Sequence, residues 1–125
     1  MGTLAVGIRN AMLDALCRGV VFDNDEFWAK LHIGDPGAAG TSNPAAETTR
    51  KQVTFGSGAA SGAISNTVAV EWTALPATET LTHVSFWSAS TAGTFLGSDD
   101  LSSSAAVEIN DTFRIPIGDL DLTLT

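Results

Sequence analysis

Cysteine is nearly missing from this chain of 125 residues, tyrosine is missing altogether, and 6 residues are Lys or Arg against 14 Asp or Glu. The single cysteine, Cys17, can form no internal disulfide, which excludes a stapled secreted mini-domain. A formal net charge of -8 with no basic block leaves nothing to neutralise phosphates or settle on anionic lipid, so neither nucleic acid nor membrane is an expected partner. Charged residues make up 16%, below the roughly 25% of an ordinary soluble domain. Every apolar run is broken far short of the roughly 20 residues that span a bilayer. Met1-Gly2-Thr3-Leu4 has no basic n-region, and the first charge, Arg9, falls inside the apolar pattern, the wrong order for a signal peptide. Val6 stands where N-myristoylation needs Ser or Thr. The expected place of synthesis is therefore the cytoplasm.

What is present is Gly, Ala, Ser and Thr in abundance, and a length that fits one core. Leu4, Ile8, Ala11, Met12, Ala15 and Leu16 recur at spacings of three and four, which predicts a helix over about 4–18. Thr3 is its expected N-cap and Gly19 its C-terminal stop, with Arg18 at the negative end of the dipole. So short a helix is marginal alone in water and needs its own sheet or another subunit to pack on.

From Phe27 the period changes to two. Phe27, Ala29, Leu31 and Ile33 alternate with Trp28, Lys30 and His32, a half-buried strand ending at Gly34-Asp35-Pro36-Gly37. Residues 38–49 carry no periodicity and read as an exposed loop. Short runs follow at 52–55, 63–65, 68–72, 80–87, 94–96, 105–109, 113–116 and 120–124, separated by Gly-, Asn- and Pro-containing turns. This pattern predicts a mainly β fold: an antiparallel, jelly-roll-like β-sandwich or small barrel with one N-terminal helix. The expected organisation is a helix or anchor over 1–22 and a single β domain over 23–125. Leu120, Leu122 and Leu124 alternate with Asp119, Asp121 and Thr123, giving a final strand with one dry face, expected at a sheet edge or against a neighbouring chain.

The chemistry-bearing residues are sparse. His32 and His83 on neighbouring strands suit a metal with one carboxylate, but no zinc spacing exists, and each reads first as a polar position on a strand face. Serines sit in Gly/Ala turns without a nucleophile elbow, so Ser/His/Asp catalysis is unsupported. Cys17 lies at the helix end, where the dipole disfavours the thiolate, and reads as a buried small hydrophobe. Asp23-Asn24-Asp25-Glu26 and Asp99-Asp100 lack the spaced pattern of a calcium loop and read as solvated or partner-facing turns. Trp72 shares parity with Val68 and Val70 and belongs in the core. Trp28 and Trp87 oppose the apolar parity of their strands and are expected to face a second sheet or another subunit.

The order of pieces then becomes informative. The helix over Leu4 to Gly19 is followed by Leu31-His32-Ile33-Gly34-Asp35-Pro36-Gly37, Arg50-Lys51-Gln52-Val53-Thr54-Phe55, Thr82-His83-Val84-Ser85-Phe86-Trp87, Gly93-Thr94-Phe95-Leu96, and Asp111-Thr112-Phe113-Arg114-Ile115-Pro116-Ile117-Gly118-Asp119-Leu120. Across nearly the whole chain this resembles a family of small tailed-phage virion proteins, the tail-fibre or fibre-adaptor group, relatives of which are called head-fibre or capsid-decoration proteins. The resemblance implies a non-enzymatic structural subunit with no cofactor, no bound metal and no catalytic residue, made in the host bacterial cytoplasm and located in the virion. The implied partners are phage major capsid or tail proteins and further copies of the chain, as a trimer or another symmetric oligomer. Capsid decoration or head fibre is the leading reading and a tail-fibre or baseplate adaptor its rival. A carbohydrate- or metal-binding module built on His32, His83, Trp28 and Trp87 is the alternative from another class. The expected oligomer or anchor contacts are Leu4, Ile8, Met12, Leu16, Trp28, Trp87, Leu120, Leu122 and Leu124, with residues 34–49 and 97–104 forming the outward face.

Overall fold

The computed structural model describes residues 3–124. The readings that rest on Met1-Gly2 and on a strand reaching Thr125 lie outside the described residues. Within them the order is β1 (Thr3–Leu4), α1 (Val6–Arg18), β2 (Trp28–His32), β3 (Lys51–Gln52), β4 (Ala63–Ser65), β5 (Val70–Trp72), β6 (Glu79–Trp87), β7 (Phe95–Val107), β8 (Phe113–Ile115) and β9 (Asp121–Thr123). The fold is mainly β with one helix, as expected, and its strands pair antiparallel.

One sheet has five strands in the order β1-β7-β6-β2-β3; two ribbons, β4-β9 and β5-β8, stand apart from it. No barrel closes. Ala29, Leu31, Val84 and Phe86 point from one face of the large sheet into a core shared with Val70, Trp72, Ile115 and Leu120 from the ribbons and their flanks. Trp72 is fully buried, donates its indole N–H to the Thr49 carbonyl at 2.9 Å, and lies 6.1 Å from the Phe113 ring.

Alternation along β6 changes phase. Leu81 is buried, yet so are Val84 and Phe86 of the opposite parity, because the β6–β7 register shifts between Leu81 and His83. Such a bulge turns the following side chains over. The expected outward turn at 97–104 is instead part of β7: Ser98, Asp99 and Asp100 pair with Ser85, Val84 and His83, and only the stretch opposite the bulge leaves the ladder. Residues 34–49 do form an irregular connection, but it folds back on β2. Ile33 N–H bonds to Asn43 O, Ala45 N–H bonds to Leu31 O, and Pro36, Gly40 and Ala45 are buried.

The helix starts later than expected. Thr3 and Leu4 pair with Ser98 and Gly97 of β7, so Thr3 caps nothing and Ala5 holds the N-cap position without a side-chain acceptor. A Cβ at Gly97 would overlap the Thr3 carbonyl, so glycine is what lets the two backbones meet there. At the other end Gly19 takes the left-handed conformation (φ 68°) and its N–H bonds to Asp14 O, as the sequence predicts.

Candidate functional site

Two places in the fold concentrate the residues singled out above. The first is the outer face of β2–β6, where Trp28 stands opposite Trp87 and His32 opposite His83 in register. Cross-strand partners share a face, so all four residues do come together on one surface. It is covered at His32 and Trp87 and open in part at Trp28 and His83. His32 is fully buried; its Nδ1 lies 2.8 Å from the Ser42 carbonyl, its Nε2 2.7 Å from Ser85 Oγ. A carbonyl only accepts, so Nδ1 carries the proton, Nε2 accepts from the Ser85 hydroxyl, and Ser85 Oγ in turn accepts the Trp87 indole N–H at 2.8 Å. Each group is satisfied with the imidazole neutral. Burial holds its pKa below the usual histidine value, opposed by the bond to Ser42 and reinforced by Lys30 and His83.

His83 is engaged separately, its Nε2 at 3.1 Å from Asp100 Oδ1 and its Nδ1 at 2.8 Å from the Thr82 hydroxyl. Trp87 is 9% exposed, with the Phe95 ring centroid 5.4 Å away and the Arg50 guanidinium 4.2 Å above its ring; Arg50 also donates to the carbonyls of Ala89 and Ala92. Trp28 is half-buried and donates to Glu26 Oε2. What covers His32 and Trp87 is the returning segment 36–50, through Ser42 and Arg50, and not a second sheet. Ser85 and His32 have the distance of a nucleophile and its base, a pair that sequence order across 53 residues could not reveal, but both are buried and a nucleophile must be reached. Among the described residues no group of three or more His, Cys, Asp and Glu gathers in a metal-binding arrangement.

The second place is the N-terminal segment. None of α1 is buried. Ile8 and Met12 turn toward the domain, Ile8 packing on the core, while Val6, Leu13 and Leu16 are 62, 58 and 82% exposed. Leu16 therefore does not share the inward face of Ile8 and Met12: at 3.6 residues per turn it lies about 40° beyond Met12, past the rim of the contact. Cys17 is exposed, not buried, because it falls on the same outer side as Val6. The exposed apolar run continues through Val20, Val21 and Phe22. Val6, Leu13, Val20, Val21 and Phe22 were absent from the expected contacts, although their common signal, a segment apolar on both sides of the helix, is present in the sequence.

Beneath α1 lies an open cavity of about 270 Å³, lined by Leu4, Ile8, Met12, Phe22, Ile64 and Leu122 among others. Leu124, 57% exposed, stands at it too. Leu122 is half-buried against the core, whereas Leu120 is 4% exposed and belongs to the core itself, which removes it from the surfaces a second chain can touch. The dry face predicted for the final strand is thus graded from fully packed to open along 120–124.

The family model described as podophage GP4 fiber I protein gp80 matches residues 4–123. The chain belongs to this family. It is a bacteriophage structural fibre protein, and its place is the virion. Comparison with curated proteins gives no match. The match runs through α1, both ribbons and the large sheet alike, so the exposed helix is part of what the family model describes and not an appendage to it.

Proposed function

We propose that this fibre protein is a non-enzymatic subunit of head-fibre or capsid-decoration type, standing on the particle surface as an oligomer and held there through the segment 4–22. The observation that carries this reading is the exposed apolar stripe of α1 continued by Val20, Val21 and Phe22. A monomer's largest apolar patch is roughly 300–600 Å² and is often functional, and here the patch sits on one continuous segment joined to the domain by the short β1 pairing. The fully buried Ser85–His32 pair supports a structural and not a chemical role. The partners on this reading are the major capsid protein and further copies of the chain.

The test is incorporation. Particles assembled with Leu16→Asp lose the protein, as measured by quantitative mass spectrometry of purified virions, while particles with the wild-type chain carry it in tens to hundreds of copies. Normal occupancy by the variant removes the anchoring role. A few copies per particle, with density at the tail tip, moves the protein to a tail adaptor.

A further inference from the structure

Residues 34–44, between β2 and Ala45, make a loop bonded largely to itself. Gly37 N–H donates to Asp35 Oδ1 at 2.8 Å, Gly40 N–H to the Gly37 carbonyl at 3.1 Å, Ser42 N–H to the Pro36 carbonyl at 2.9 Å, and the Asn43 side-chain amide to the Asp35 carbonyl at 3.0 Å. The loop meets the sheet where Asn43 O accepts Ile33 N–H at 3.0 Å, where Ser42 O accepts from His32 Nδ1 at 2.8 Å, and where Gly40 sits so close on Phe95 that a Cβ would overlap its ring. We infer that 34–44 is an acid-sensitive flap, which lifts from the outer face of the large sheet when the His32 ring takes a second proton.

The hydrogen bonds beneath the flap are all satisfied only while His32 is neutral. Nδ1–H donates to Ser42 O, and Nε2 accepts the Ser85 hydroxyl, whose oxygen accepts the Trp87 indole N–H. A proton on Nε2 reverses the middle bond. Ser85 Oγ then meets two N–H donors while its own hydroxyl proton loses its acceptor, at a buried site where an unmade bond is costly. The charged groups around the ring give the imidazolium no relief. Lys30 on β2 and His83 on β6 oppose a further positive charge; His83 Nε2 engages Asp100 of β7, the Asp35 carboxylate of the flap accepts Gly37 N–H, and Arg50 beyond the flap lies over Trp87. Burial, more than these charges, holds the ring neutral to lower pH than an ordinary histidine. Water is what an imidazolium there would gain.

The flap is the part that can admit it. Thr41, Ser42, Asn43 and Pro44 are exposed above a ring that is fully buried, so one thickness of chain separates the imidazole from solvent on that side. Pro36 is buried, yet the shared core resumes only at Ala45, whose N–H bonds to Leu31 O and fixes the far end. Lifting therefore breaks the Ile33–Asn43 bond and the seat of Gly40 on Phe95 while the bonds inside the loop persist, a local opening and not an unfolding. There is also room. Gly37, Ala38 and Ala39 border an open groove of about 870 Å³ that they share with Val6, Gly7 and Arg9 of α1.

Nuclear magnetic resonance on the full chain reads both halves of the inference: ring titration from the His32 nitrogen shifts, and flap position from the exchange protection of the Ile33 amide, with β6 amides as reference. At about pH 7 the ring is the Nδ1–H tautomer and Ile33 is protected. Below about 6.5 that protection falls by up to about tenfold per pH unit until the closed state itself protonates, as opening coupled to one proton requires, while β6 keeps its protection. His32→Gln removes this pH dependence and His83→Gln retains it. Gly40→Ala, whose methyl group displaces the flap from Phe95, exposes the Ile33 amide already at about pH 7 and moves the His32 titration up toward the ordinary value; circular dichroism checks that each variant folds. Loss of Ile33 and β6 protection together overturns the inference, because the whole fold then opens. So does a ring that titrates beneath a protected Ile33, a pH dependence that survives in His32→Gln or vanishes in His83→Gln, or a Gly40→Ala chain with Ile33 still protected.

Discussion

The segment 6–22 and the β domain spend similar side chains in opposite ways. In the domain Leu31, Trp72, Leu81, Val84 and Phe86 are essentially out of solvent, whereas α1 buries no residue and leaves Leu16 82% exposed. Both regions obey the same rule, that apolar area leaves water when a surface is offered. In the domain the surface is another part of the chain. On the outer side of α1 the described residues leave Leu13 and Leu16 more than half exposed, so the same chemistry leaves apolar area in water there.

Four substitutions sharpen this contrast, beginning with the largest effect. Trp72→Ala removes the centre of the shared core and is expected to cost about 3–5 kcal/mol in chemical denaturation; a loss below about 1 kcal/mol would mean that the two ribbons do not pack on the sheet as described. His32→Ala leaves the Ser85 hydroxyl without its acceptor and the Ser42 carbonyl without its donor and opens a cavity, a loss of about 2–4 kcal/mol by the same measurement. The pH dependence of the wild type should report the same residue. Because burial lowers the folded-state pKa of His32, the unfolded chain binds the proton first. Its contribution is complete above the ordinary histidine value near 6.5 and declines as pH falls from there toward the folded pKa. Urea midpoints measured across that window fall in the wild type, and fall less in His32→Ala.

Gly97→Ala acts at the joint between the two regions. Its methyl group meets the Thr3 carbonyl, so β1 must part from β7, at a cost of about 1–3 kcal/mol. Proteolysis before Phe27 should become faster while the domain remains intact; unchanged proteolysis shows that the segment is held by something other than β1. Smallest is Leu16→Ala, expected to change stability by less than about 0.5 kcal/mol while weakening self-association measured by sedimentation. A large stability loss in the isolated chain would place Leu16 in a contact of its own domain and erase the distinction between the regions.

Periodicity was a good guide where neighbours in sequence decide the outcome. The 63–65 strand coincides with β4, the Gly19 stop holds, and Trp72 lies where its parity with Val70 puts it. It failed where a distant element intervened. Thr3 lost its capping role to pairing with Ser98, and the 94–96 and 105–109 runs joined into β7 because β6 offers one long template. Trp87 was expected to face a second sheet or subunit; it is instead covered by Arg50 of the returning 36–50 segment, whose irregular Gly, Pro and Asn sequence has no period to announce it, while Trp28 stays half-buried. Leu16 shares its helical spacing with Met12, and only the position of the domain edge decides that one is covered and the other is not.

By itself the sequence determined a cysteine-poor, acidic, mainly β chain with one N-terminal helix, since composition, alternation and turn residues act over a few positions. Its family-specific order of strands also placed it among phage fibre proteins, which the match over residues 4–123 bears out. Tertiary structure alone decided which His, Ser and Trp close into a buried network and which side of α1 stays open. Burial is a property of pairs of surfaces, and in the β domain the second surface of each pair lies tens of residues away along the chain.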